Sequence, residues 1–301
     1  MTAKLLTLFS CPKPFVHPHI ATIQRNAVAS WMQLGEQVEV LLMGNESGVA
    51  ETATEFGVRH IPELACNDQG TPLISSMFDL ARQHGDSPLL MYVNADILLF
   101  PDLLHVAQSV SEKLSHFLLV GQRWDLDVTE PLDFSQNWAE HLRSFAQSHG
   151  RLHPPAGSDY FIFPRHCFVD IPAFAIGRAG WDNWMIYHAL KSKFPVIDAT
   201  ADVMIVHQNH DYSHLPGGKP HYKHPETDEN IRLAGGREVT RFTLLDANKR
   251  LANDRLRPRH WNLMTLRRWV ESYPLLAWDN YTLTEKTTRL FWRIERKLRK
   301  N

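Results

Sequence analysis

From Leu5 to about Asn94 the chain alternates short apolar runs with segments of helical spacing, an order few folds accept. A short apolar run followed by an amphipathic helix and another short run is the signature of parallel strands joined by crossover helices. Leu5 to Phe9 reads as the first strand. Ile20, Ile23, Ala27, Trp31 and Leu34 recur at three- and four-residue steps, so His19 to Gly35 reads as a helix that Gly35 stops. Val38–Met43 is a second strand, Val58 to Ile61 a third and Leu73 to His84 a further helix. The run Leu89–Val93 is apolar throughout, which predicts a central strand buried on both faces. In such sheets ligands gather beyond the carboxyl ends of the strands, where this strand delivers Asn94, Ala95 and Asp96. Farther on, a helix from Pro101-Asp102, strands at Phe117 to Val120, Tyr160 to Phe163 and Val203 to Val206, and a helix over Asn183 to Lys193 continue a less regular α/β pattern.

Composition narrows the function classes. The 301 residues hold 32 Lys and Arg against 33 Asp and Glu, so no whole-chain field points to nucleic acid. Cys11, Cys66 and Cys167 are odd in number and widely spaced, which fits neither a disulfide framework nor a cysteine-rich zinc site. They predict a reducing, cytoplasmic compartment. No apolar run reaches the length of a membrane-spanning helix, and the apolar start at Leu5 is too short for a signal segment, so a soluble or peripheral protein is expected.

Three groups carry candidate chemistry. Asp96 ends the apolar strand, and hard cations such as Mg²⁺ or Mn²⁺ are held by one or two carboxylates together with substrate phosphates; the alternative is a turn or capping aspartate. His207 opens the stretch His207-Gln208-Asn209-His210-Asp211-Tyr212-Ser213-His214, with His221 and His224 beyond. Imidazoles after an apolar strand suit a metal ligand, although the spacing is not that of an H-E-x-x-H zinc hydrolase. Gly157-Ser158-Asp159-Tyr160-Phe161 and Gly180-Trp181-Asp182-Asn183-Trp184 combine carboxylates with aromatic faces, a set suited to packing a sugar, and Asp182 there is placed either to deprotonate a hydroxyl or to cap a helix.

Taken in order, Gln24-Arg25-Asn26-Ala27 to Trp31, Gly70-Thr71-Pro72-Leu73, Tyr92 to Phe100, Gly157 to Pro164, Trp181-Asp182-Asn183-Trp184 and His207 to His214 resemble GT-A-fold nucleotide-diphospho-sugar transferases related to family 2 glycosyltransferases. The resemblance covers roughly Leu5 to His214. It implies a mainly parallel sheet flanked by helices, a catalytic domain over 1–221 and a helical C-terminal extension with a basic tail over 222–301. It also implies a metal-dependent hexosyltransferase using Mn²⁺ or Mg²⁺, a nucleotide-sugar donor (a UDP-sugar favoured) and a hydroxyl acceptor, acting with inversion. Asp96 and His207 become the metal ligands, and Asn94 stands where the family's D-x-D-like element has its first aspartate. Asp182 becomes the base, and Asp159 positions the sugar or acceptor. Ser10, Arg25, Asn45 (or Glu46), Thr71, Asn94 and Asp96 would line the donor, with the loop from Ser10 to Lys13 over the nucleotide.

Other readings stay open at this level. A nucleotidyltransferase of the same topology calls for a Gly-rich, Arg-containing loop after the first strand, where this chain has Ser10-Cys11-Pro12-Lys13-Pro14. A nucleotide- or sugar-binding module without turnover is the non-enzymatic alternative, and a zinc hydrolase on the histidine cluster a third. The tail interleaves Lys286, Arg289, Arg293, Arg296, Lys297, Arg299 and Lys300 with Leu290, Phe291, Trp292, Ile294 and Leu298. It reads either as an amphipathic helix on the anionic inner face of a membrane or as a terminal helix whose apolar face packs on the domain.

Overall fold

The computed structural model describes residues 3–210 and 224–298; Asp211, His214 and His221 of the histidine-rich stretch lie outside them. The first half is built from β1 (Leu6–Ser10), α1 (Pro18–Met32), β2 (Val38–Met43), α2 (Val49–Phe56), β3 (Arg59–Ile61), α3 (Ile74–His84), β4 (Leu89–Val93), β5 (Ile97–Leu99) and α4 (Asp102–Ser111). Then come β6 (Leu118–Val120), β7 (Trp124–Leu126), α5 (Trp138–His149), β8 (Arg151–Leu152), β9 (Tyr160–Pro164), α6 (Trp181–Lys191), β10 (Val196–Asp198) and β11 (Ile205–Gln208). After the undescribed segment follow α7 (Pro225–Leu233), β12 (Lys249–Ala252), β13 (Arg255–Pro258), α8 (Leu263–Trp278) and α9 (Tyr281–Leu298).

The main sheet runs β13-β12-β10-β6-β9-β4-β1-β2-β3, and only β9 and β13 oppose their neighbours. This is the mainly parallel α/β sheet flanked by helices that the alternation implied. Its two faces bury separate apolar layers because side chains alternate along each strand. Phe9, Leu41, Leu90 and Tyr92 lie in one layer, and Leu8, Leu42, Met91 and Val93 in the other. β4 is buried along its whole length, as its unbroken apolar run requires. Helix α1 opens with Pro18 in its first turn, buries Ile20, Ile23, Ala27 and Trp31, and ends just before Gly35 at φ +94°, a conformation glycine adopts without a Cβ penalty.

A smaller sheet, β5-β11-β7-β8, sits past the end of β4. Its register puts His207 opposite Ile97 on one side and Asp125 on the other. The residue after Asp96, the histidine and a second aspartate are thereby brought together by backbone pairing.

Beyond residue 222 the chain is more than helical. β12 and β13 extend the main sheet, and Val239, Phe242, Leu244 and Leu275 belong to the same apolar layer as Phe9 and Tyr92. The two tryptophans read as a wall for a sugar are core instead. Trp181 is 5% exposed and edge-on to Tyr92 at 4.8 Å, and Trp184, 6% exposed, packs on Phe174 and His188. Their size and apolar area favour burial over a solvent-facing role. Among the described residues no helix is long and apolar enough to cross a membrane.

Candidate functional site

The site grows from the polar side chains that α1 buries. Gln24 is 2% exposed because its amide grips the loop after β1: its Oε1 accepts from the Lys13 amide at 2.7 Å and its Nε2 donates to the Lys13 carbonyl at 2.9 Å. Two residues on, Asn26 donates to Gln208 Oε1 at 3.0 Å, and Gln208 Nε2 donates to the carbonyls of Ile23 (2.7 Å) and Asp96 (3.1 Å). The Trp31 indole donates to the Ile97 carbonyl at 2.9 Å. A satisfied buried network of this kind fixes one arrangement of the chain. Here it ties the Lys13 loop, the Asp96 turn and the strand bearing His207 to one helix.

At the centre, Asp96 Oδ2 lies 3.1 Å from His210 Nε2 and 4.0 Å from His207 Nε2, and Lys13 Nζ is 3.5 Å from His210 Nε2. Asp96, His207 and His210 each offer a ligand atom, all within 4.8 Å of one another. Burial works to raise the Asp96 pKa, but the hydrogen bond from His210 and the charges of His207, Lys13 and His210 outweigh it and hold the carboxyl well below the usual range. Burial lowers the Lys13 pKa against the pull of Asp96.

Whether these residues fit a cation is answered by the orphaned atoms. Asp96 Oδ1 is buried without a hydrogen-bond partner among the described residues, and so is His207 Nδ1, whose 3.5 Å approach to Asp125 Oδ1 is an ion contact and not a hydrogen bond. A buried carboxylate oxygen left without a donor is costly unless something positive meets it. One carboxylate with such a free oxygen and two imidazoles beside its other oxygen suit a divalent ion. His210 approaches Asp96 more closely than the expected ligand His207; its spacing of three from His207 was the available signal.

A second network adjoins the first. Asp159, 5% exposed, accepts from Arg123 Nη1 on both oxygens at 2.8 Å and from Asn94 Nδ2 at 2.9 Å, while Arg123 Nε donates to Asp125 at 2.8 Å. His153 Nδ1 meets the other Asp125 oxygen at 2.7 Å. Asn94 also accepts from the Tyr92 hydroxyl at 2.7 Å, and its amide N–H donates to the Asp159 carbonyl. This accounts for an asparagine where the resemblance has an aspartate. A carboxylate at position 94 would face that of Asp159 at hydrogen-bond distance, whereas an amide donates to it. Arg123, Asp125 and His153 are missed by sequence reasoning, since Arg123-Trp124-Asp125-Leu126 shows only a short polar–apolar alternation with no mark of a site.

Because Arg123 neutralises a nearly fully buried carboxylate, its loss strands a charge. Arg123→Ala should lower the free energy of unfolding by about 3–5 kcal/mol, read by urea denaturation; a change below about 1 kcal/mol would mean that Asp159 is stabilised by its other donors alone.

Asp182 lies in the first turn of α6 but caps nothing: the cap position is Gly180, at φ +110°, with no side-chain capping bond. A Cβ at Gly180 would approach Thr240 Cγ2 to 3.1 Å, so glycine allows both the turn and the close packing that set Asp182 in place. Burial pushes the Asp182 carboxyl above its ordinary pKa; the Asn183 amide opposes this, the Asp159 charge adds to it, and its own and Gly180's amides oppose it. Burial, Cys11, and then Asp96, Asp159 and Asp182 all push the Tyr92 hydroxyl above its ordinary pKa, so the three carboxylates share one electrostatic neighbourhood.

The remaining expected donor residues lie farther from this centre in their bonding. The Ser10 hydroxyl is spent on the Val93 carbonyl at 2.7 Å, joining β1 to β4. Arg25 pairs with Glu55 and packs its guanidinium on Phe15. Asn45 is exposed after β2, and Thr71 is bonded toward Asn67 and Glu226.

A carboxylate and imidazoles at the carboxyl edge of a mainly parallel α/β sheet thus define a candidate divalent-cation site with a second, pKa-raised carboxylate nearby. No protein-family model and no curated protein matches the chain in sequence. Among solved structures it is similar to a mannosyltransferase from Pyrobaculum calidifontis in complex with GDP-Man and Mn²⁺, at 12% identity and a TM-score of 0.48 over 77% of this chain. The chain spans about 63% of that protein's length. It is also similar to glucosyl-3-phosphoglycerate synthase from Mycobacterium tuberculosis in complex with Mn²⁺, UDP and phosphoglyceric acid, at 11% identity and a TM-score of 0.46 over 78% of this chain and 80% of the other.

Proposed function

We propose that this protein is a metal-dependent glycosyltransferase of the hexosyltransferase type, moving a sugar from a nucleotide-diphosphate donor, a UDP-sugar favoured, to a hydroxyl acceptor with inversion. The observation that carries the reading is the buried Oδ1 of Asp96, without a donor among the described residues, beside His207 and His210 past the end of the central strand. These three residues would hold Mn²⁺ or Mg²⁺, which supplies electrostatic stabilisation to the departing diphosphate when bound. Lys13, already beside His210, adds a positive charge on the same side.

In the reaction the acceptor oxygen forms a bond to the anomeric carbon as the bond from that carbon to the diphosphate oxygen breaks, and the diphosphate leaves with the electron pair. Asp182 takes the acceptor's proton. Its raised pKa makes it a stronger base than a free aspartate. Asp159, locked by Arg123 and Asn94, acts by positioning. Arg25, Asn45 and Thr71 are assigned to the nucleotide side, with Arg25 exchanging Glu55 for a phosphate or ribose contact; residues 1–221 then carry donor and base, with 222–301 as the extension. Three free cysteines support a reducing, cytoplasmic setting.

Calorimetric titration with UDP, GDP, CMP and dTDP, with and without Mn²⁺, tests the reading: metal-dependent binding of one nucleotide is expected, and no binding of any would sink it. Two imidazoles with one carboxylate also suit zinc. Zinc retained through extensive dialysis, together with an absence of nucleotide binding, would turn the assignment to a hydrolytic centre.

The pH profile follows from the sign at Asp182. Its conjugate acid persists to higher pH than that of a free aspartate, near 3.9, so transfer should rise along an acid limb displaced upward from that value. Initial rates between about pH 4 and 8 check this; a limb at or below the free-aspartate value would exclude Asp182 as the base.

A further inference from the structure

Helices α8 and α9 bury polar side chains and expose most of their large apolar ones, Leu275 of the core layer apart. On α8 the buried side chains include Glu271, 3% exposed, which receives Arg267 Nε at 2.7 Å and Arg268 Nη1 at 3.2 Å. Arg268 Nη2 also donates to the buried Asp246 at 2.7 Å. On α9 the buried residues are Thr284 and Thr288. Most of the large apolar side chains face outward: Leu263 is 85% exposed, Trp278 61% and Trp292 67%. Among the described residues seventeen large apolar side chains are exposed, and twelve of them fall between Trp261 and Ile294. Single exposed apolar residues are ordinary, but such a concentration on one helical hairpin marks a surface meant to be covered.

Charge indicates what covers it. From Arg255 to the end the chain has twelve Lys and Arg against four Asp and Glu, while residues 1–254 hold twenty against twenty-nine. Charge is therefore unevenly divided along the sequence, and the apolar hairpin belongs to its positive segment. Four exposed or partly exposed rings, Trp261, Trp269, Tyr273 and Trp278, follow one another at centroid separations of 6.1, 5.0 and 5.2 Å. Tryptophan and tyrosine at this density are characteristic of the headgroup level of a bilayer. A cavity of about 470 Å³ at the hairpin is lined by Arg241, Arg289, Arg293, Thr288 and Trp292, a donor set suited to a phosphate headgroup.

We propose that the α8–α9 hairpin docks this protein on the surface of an anionic phospholipid bilayer, with the rings and leucines at the headgroup boundary and the arginines on lipid phosphates. A second copy is the poorer occupant, because two such faces would bring two strongly positive surfaces together. Docking would hold the candidate transfer site near a membrane-borne acceptor, although the binding itself is independent of the transfer reading.

Flotation of the full chain with vesicles of phosphatidylcholine alone, and with phosphatidylglycerol added, provides the test. Binding to the anionic vesicles is expected to exceed that to neutral ones at least tenfold and to weaken as salt is raised. A variant carrying Leu263→Ser, Trp278→Ser and Trp292→Ser, and a second carrying Lys286→Glu and Arg293→Glu, should each lose at least tenfold in partitioning. Both should keep the parent's circular dichroism and its nucleotide titration, since every altered side chain is exposed or partly exposed. No binding to anionic vesicles, or binding undiminished in the serine variant, would overturn the proposal. A dimer that the serine variant converts to monomer, without vesicle binding by the parent, would overturn it too and assign the face to a second copy.

Discussion

Asp96→Ala is expected to abolish the metal dependence of nucleotide binding, weakening the Mn²⁺-supported affinity by at least roughly 100-fold, since even groups behind a metal's direct ligands are worth 10–100-fold. The loss should be specific in form. Removing the carboxylate leaves Lys13, His207 and His210 converging on the vacated position without the Asp96 charge that faced all three. The positive charge left there favours a diphosphate without its cation. Metal-free nucleotide binding should therefore stay the same or strengthen while the Mn²⁺-dependent part vanishes. Titrations with and without Mn²⁺ on parent and variant separate the two components. If the variant still needed Mn²⁺ as the parent does, the cation would be held elsewhere, and the orphaned Oδ1 would need another explanation.

The history of these residues shows what a sequence can and cannot display. Periodicity dictates β4 and α1 because burial on both sheet faces, or along one helix stripe, demands apolar residues at fixed intervals. Asp96 is legible for the same reason, as the polar residue that ends an apolar strand. The partners of Asp96 are another matter. His207 and Asp125 meet through the register of a small sheet whose strands come from segments 80 residues apart, and pairing of that kind leaves no local mark. The polar stripe of α1 was in view, but Gln24 and Asn26 look like solvent-facing residues until the Lys13 loop and Gln208 are seen around them. Trp181 and Trp184 misled in the opposite sense, because an aromatic pair beside a carboxylate has the same spelling whether it lines a cleft or packs a core. The C-terminal strands β12 and β13 were hidden because each is only four residues long and rich in Lys and Arg; β13 has arginines at alternate positions, which an edge strand carries without cost to the core.

Asp182→Asn is expected to lower the transfer rate by roughly 10²- to 10⁴-fold, the usual contribution of a general base, while leaving nucleotide affinity within about twofold of the parent. The substitution keeps the shape and one accepting oxygen for the amides of Asn183, Asp182 and Gly180, but removes the group that receives the proton. Stability should move the other way, or not at all. A carboxyl whose pKa is raised on folding binds protons more readily folded than unfolded, so above the unfolded pKa its ionisation works against the fold. The native protein bears that cost increasingly as pH rises through the folded-state pKa, and asparagine does not. The variant's thermal midpoint should thus equal or exceed the parent's even as transfer is lost, a pairing that separates a residue kept for chemistry from one kept for packing. Full activity in the variant would remove Asp182 from the mechanism; lost activity together with a lowered midpoint would show that its carboxylate serves the turn at Gly180 instead.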